Sequence, residues 1–145
     1  MDKEQAMPEN AGDVAGSDQT RLKLGHGLGL GLALGGVCGV IAVLSSAAAS
    51  HATDNQYLMI ISQITMMHAA AFVGLGVAHG ITSSRGIAFA MLLLIAGVGL
   101  FCGDLAQRLF VGEKLFDFAA PTGGMLMVLG WLVVFLCGLK RMMKG

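Results

Sequence analysis

Four stretches of this chain, each roughly the twenty residues that cross a bilayer as a helix, contain almost no charge. They lie at about 26–50, 58–80, 86–104 and 121–139. A helix rises about 1.5 Å per residue, so each stretch is long enough to span a hydrocarbon core of about 30 Å. Charged residues make up only 12% of the chain and apolar ones 55%, whereas a soluble domain carries about a quarter charged residues. The charges gather in Asp2–Lys23, at Arg85, in Asp104–Asp117 and in Lys140–Lys144. The pattern predicts an all-α, polytopic membrane protein with four transmembrane helices in a compact bundle.

The segments between and around the spans set the organisation. Residues 1–23 are acidic and rich in Gly, Pro, Asn and Asp, a composition that reads as a disordered cytoplasmic tail. The membrane domain follows at 24–140, and 141–145 form a basic cytoplasmic end. Arg21 and Lys23 before the first span, with Ala47-Ala48-Ala49 near its end, imitate a signal peptide. The apolar run exceeds the roughly 7–15 residues of a signal core, so it reads as a retained helix. Two breaks are short, HATDNQY and ITSSRG. The third, LAQRLFVGEKLFDFAA, mixes Leu105, Leu109, Phe110, Phe116 and Phe118 with Arg108, Lys114 and Asp117. It is expected to lie along the membrane surface.

An even number of spans puts both termini on one side. That side holds Arg21, Lys23, Arg85, Lys140, Arg141 and Lys144, against Arg108 and Lys114 opposite. The positive-inside rule then predicts cytoplasmic termini in a cell inner (plasma) membrane. The formal net charge is zero, which gives no basic footprint for nucleic acid. Cys38, Cys102 and Cys137 each stand alone in an apolar run, so neither a disulfide framework nor a zinc site is expected. No cofactor is expected.

The first span reads GHGLGLGLALGGVCGV, with Gly27, Gly31, Gly35 and Gly39 four residues apart. In water each glycine would weaken a helix by about 1 kcal/mol relative to alanine. In a bilayer, lipid tails are as apolar as leucine, and helices associate by close packing at small residues. The four glycines therefore predict a packing groove, extended by Ala42, Ser46 and Ser50. Leu28, Leu30, Leu32 and Leu34 point to lipid or to other helices. Gly74 and Gly76 in the second span, and Gly99 and Gly103 in the third, are the expected partner surfaces. A phosphate-binding loop is excluded because no strand precedes the glycines and no Lys-Ser/Thr follows them.

Ionisable residues at membrane depth are candidate functional groups, and His68 in SQITMMHAAA is the one that qualifies. Thr65 shares its face, and Gln63 lies about one turn nearer the surface. His68 could be a proton relay or a ligand, or a neutral histidine that hydrogen-bonds a neighbouring helix. A bis-histidine haem needs a second histidine at the same depth, whereas His26, His51 and His79 fall at helix ends. His51 and Asp104 are expected to meet in a structural hydrogen bond. The spans hold no carboxylate at mid-depth to exchange protons for a substrate, which argues against proton-coupled export.

His51 in SHA, the Q-x4-HA element of Gln63, His68 and Ala69, and PTGGMLMVLGW together resemble a known family. The last element contributes Pro121, Gly123, Gly124, Gly130 and Trp131. In order and spacing, residues 30–139 are similar to the small four-helix membrane proteins called domain of unknown function 423. Its members include bacterial inner-membrane proteins and mitochondrial relatives. The resemblance implies a fold and a location, and no activity. The function expected is that of a non-enzymatic accessory or scaffolding protein. It would act in the lipid bilayer by helix packing with a second copy or with a larger membrane complex. A small channel or transporter using His68, and a haem- or quinone-associated redox subunit, are the alternatives.

Overall fold

The computed structural model describes residues 11–51 and 56–143, with side chains from Gly25 onward. It contains four helices: α1 (Ala11–His51), α2 (Gln56–Thr82), α3 (Arg85–Phe110) and α4 (Ala119–Met142). Each has a portion long and apolar enough to cross a membrane, beginning in α1 at Gly25. Part of the expected disordered tail, residues 1–10, lies outside the described residues, as does the α1–α2 connection at 52–55. From Ala11 the chain is already helical, which corrects the expectation of disorder through residue 23. Once the membrane segment has formed the costly first turn, extending the helix outward adds one hydrogen bond per residue.

The helices form two hairpins. α1 packs along α2, α3 along α4, and α2 joins the hairpins through its contacts with α3. Within the first hairpin the backbones themselves touch. A Cβ added at Gly31 would lie 2.7 Å from the Phe72 carbonyl oxygen and 2.8 Å from the Gly76 Cα. One at Gly27 would meet Gly80 N at 2.7 Å, and one at Gly35 would meet Ala69 O at 2.8 Å. These three glycines form the groove that the sequence predicts, and Gly76 is its partner.

Gly39 is not part of this groove, because open space surrounds the position where its Cβ would stand. Four residues overshoot one helical turn by about 40°, so three such steps carry Gly39 about 120° away from Gly27. The buried line shortens its step accordingly and runs Gly27, Gly31, Gly35, Cys38, Ala42, Ser45. Ser46 and Ser50, expected in the groove, are exposed instead. Beyond the glycines, the Ser62 hydroxyl of α2 donates to the Ala42 carbonyl of α1 at 2.9 Å.

In the second hairpin the close approach falls on glycines other than those expected. Gly99, Gly103 and Gly124 face open space, as does Gly74 on α2 of the first hairpin. Gly97 and Gly123 are the positions that meet: a Cβ on Gly97 would lie 2.8 Å from the Gly123 carbonyl oxygen. Gly130 and Gly86 receive side chains at closest approach, Leu94 Cδ2 at 2.8 Å and Cys137 Sγ at 2.6 Å from the added Cβ, with the Ala90 carbonyl oxygen 3.3 Å from that of Gly130.

The connections between helices differ in build. Ser83 and Ser84 alone join α2 to α3, with Ser83 in the left-handed region at φ 46° and its N–H donating to the His79 carbonyl. His79 Nδ1 donates to the Ser84 carbonyl at 3.1 Å, tying the end of α2 to this turn. α3 continues to Phe110, so the α3–α4 connection is residues 111–118 and not the whole 105–120 segment. Gly112, at φ 81°, ends the helix in the left-handed conformation typical of the position after a helix C-cap. Phe110 and Phe118 are 81% and 76% exposed, an apolar display at the ends of the α3–α4 connection.

The core between the hairpins contains Cys38, Phe72, Leu75, Met91, Leu94, Val98 and Met127. The outward faces are also apolar, as at Leu44, Met59, Val128 and Phe135. Apolar surface on both sides is the signature of a bundle whose surroundings are lipid.

Candidate functional site

His68 lies near the middle of α2 and is 1% exposed. Its Nδ1 donates to the Ile64 carbonyl one turn earlier, at 2.8 Å. A carbonyl only accepts, so Nδ1 carries the proton, and in the neutral ring Nε2 is a bare acceptor. Nε2 is buried and has no hydrogen-bond partner. The ring lies among aromatic neighbours, with centroids 6.2 Å from Phe72 and 6.0 Å from Trp131.

The expected companions of His68 separate. Thr65 is buried on the same face, but its hydroxyl donates to the Ile61 carbonyl of its own helix at 2.7 Å. Such back-bonding satisfies a hydroxyl in apolar surroundings without help from another helix. Gln63 is exposed on the outer side of α2 and does not join the buried pair. The residue that does approach His68 is Trp131, 39% exposed, on the diagonally placed α4. Thus two elements that are distant in the sequence, Q-x4-HA and P-x-G-G-x5-G-W, bring their His and Trp together. Equal depth is the signal that could have linked them: His68 and Trp131 both lie near the centres of their helices.

A second polar cluster lies at the far end of α3. Asp104 is fully buried and accepts from Arg108 Nε at 2.7 Å and from the Leu115 amide at 2.9 Å. The expected hydrogen bond between His51 and Asp104 is therefore replaced. His51 is exposed at the end of α1, and α1 packs along α2 and not along α3. The spacing of four between Asp104 and Arg108 on one helix face was the available signal. The Leu115 amide, eleven residues away across a turn, had none. Lys114 and Asp117 form a looser exposed pair at 3.9 Å in the same connection.

Of the remaining motif residues, Pro121 falls in the first turn of α4, where the missing N–H has no intrahelical partner to lose. Gly123 and Gly130 are the contact points with α3 already described. Residues 45–124 match the family described as Protein of unknown function (DUF423). The chain belongs to this family. The DUF423 match includes the His68 element and the start of the α4 motif, and ends before Gly130 and Trp131.

The UPF0382 membrane proteins are similar over a longer stretch. One from Staphylococcus aureus is 28% identical over 114 residues, covering 74% of this chain and 93% of its own. A relative from Staphylococcus epidermidis has the same identity and coverage. One from Staphylococcus haemolyticus is 26% identical over 114 residues, again covering 74% and 93%. No solved structure matches. The chain is thus a DUF423 membrane protein with four membrane-spanning helices.

Proposed function

We propose that this DUF423 protein is a non-enzymatic membrane subunit that works by packing α1 against a second copy or a larger membrane complex. The observation that carries this reading is the second line of small residues on α1. Gly25, Gly29, Ala33 and Gly36 are all exposed, and the three glycines face open space. The opposite line, Gly27, Gly31 and Gly35, is already filled by α2. In lipid, a helix face of small residues is where another helix can approach closely enough to gain packing energy. The distribution of Lys and Arg supports cytoplasmic termini in the inner (plasma) membrane.

The test is proximity labelling or cross-linking in native membranes, comparing wild type with the Gly29→Leu, Gly36→Leu double variant. A defined set of cross-linked neighbours that the variant loses, with the variant still folded, is the expected result. Wild-type protein that cross-links to nothing in its own membrane overturns the reading.

A second reading, a small channel or transporter using His68, draws on the bare Nε2 at mid-membrane. It expects flux through reconstituted vesicles that His68→Ala abolishes.

A further inference from the structure

We propose that Trp131 donates its indole Nε1–H to His68 Nε2, forming a latch across the seam between the two hairpins. The inference is independent of whether α1 finds a partner. It starts from two unmet hydrogen-bonding groups at the same depth. His68 Nε2 is the buried side-chain acceptor without a partner among the described residues. The Ile64 carbonyl holds Nδ1, so the ring offers its second nitrogen only as a lone pair. An indole N–H can only donate. Trp131 lies near the centre of α4, far from the interfacial belts where tryptophan normally keeps its N–H wet. Its ring packs beside that of His68. In hydrocarbon neither group can turn to water, and the two are complementary, one a donor and the other an acceptor.

The distances permit this match. The ring centroids are 6.0 Å apart and the planes tilted by 55°. A ring N–H reaches an acceptor nitrogen at about 3 Å between heavy atoms. That bond, added to the short reach from each ring centre to its nitrogen, spans about the observed separation. A rotation of the indole is the movement that would bring its N–H onto Nε2.

The place of the contact gives it a role. Inside each hairpin, glycines put backbone against backbone. Between α2 and α4 there is no such approach, and the gap is bridged by side chains. A bond at His68 and Trp131 would fix the spacing of the hairpins at mid-membrane. Turning the indole away frees a lone acceptor at the same point. His68 and Trp131 are thus positioning residues for the seam.

The chain has a single tryptophan, so one indole N–H signal reports on the latch in the full-length protein. The experiment is NMR on the ¹⁵N-labelled protein in lipid nanodiscs, looking for scalar coupling between Trp131 Nε1 and His68 Nε2 across the hydrogen bond. A coupling in the wild type is the expected result. With it, His68→Leu should move the indole proton upfield and speed its exchange by about fivefold to tenfold, the change for losing one neutral hydrogen bond. Trp131→Phe keeps an aromatic ring but no donor, and should shift the His68 Nε2 resonance toward that of an unbonded acceptor. An absent coupling in the wild type overturns the proposal, and this holds even if either variant fails to fold. An Nε2 resonance unchanged in Trp131→Phe also overturns it.

Discussion

The two hairpins reach similar closeness by different means. α1 and α2 meet backbone to backbone over successive turns, from Gly27 on Gly80 through Gly31 on Gly76 to Gly35 on Ala69. α3 and α4 meet in this way at Gly97 and Gly123, and then let Leu94 and Cys137 fill the spaces over Gly130 and Gly86. The first hairpin has its tightest contacts toward the end that carries the chain termini. The second has them toward the 111–118 connection. A backbone contact cannot yield to added volume without moving a whole helix, whereas a side chain can change rotamer. The glycines of one hairpin are therefore not equivalent to those of the other.

The comparison can be broken most directly at Gly31. Gly31→Leu places a branched side chain against the Phe72 carbonyl and the Gly76 Cα. A loss of about 3 kcal/mol or more is expected, the upper range for overpacking, read as loss of the folded monodisperse species in thermal melts in detergent. An alanine pair sharpens the contrast. Gly31→Ala should destabilise by about 1–3 kcal/mol, and Gly86→Ala, which meets only the end of the Cys137 side chain at close range, by less than about 1 kcal/mol. Equal losses in the same melts would remove the distinction between the hairpins.

Asp104→Asn tests whether the polar clasp belongs to the second hairpin or only to its loop. The amide still accepts from Leu115 but no longer neutralises Arg108. The expected outcome is faster tryptic cleavage at Lys114 with little change in the main melting transition. The smallest effect belongs to Gly39→Ala, where the space is open. Its melt should stay within about 0.5 kcal/mol of wild type, and a large loss there would restore Gly39 to the groove.

Much of this architecture was legible in the sequence, because length and hydropathy decide whether a segment crosses a bilayer. The groove at Gly27, Gly31 and Gly35 was legible for a similar reason: only a small residue lets two helices approach this closely. What failed was extrapolation. A strict four-residue rule carries Gly39, Ser46 and Ser50 off the contact face, since the helix period is about 3.6. The choice of Gly97 over Gly99 and Gly103 depends on the rotation of α3 about its own axis. That rotation is fixed by neighbouring helices and leaves no local mark. At the site, His68 was visible as the ionisable group at depth. Its nearness to Trp131 follows from packing between hairpins, and the hold of Leu115 on Asp104 follows from the fold of a turn.

The corner made by Ser83 and Ser84 has a mechanical consequence. Two residues reach only about 7 Å when extended, so the adjoining ends of α2 and α3 are pinned to one another at one level in the bilayer. Sliding of one hairpin past the other along the membrane normal is blocked. Any separation of the hairpins would have to pivot at the Ser83 end and widen toward the end bearing the 111–118 connection.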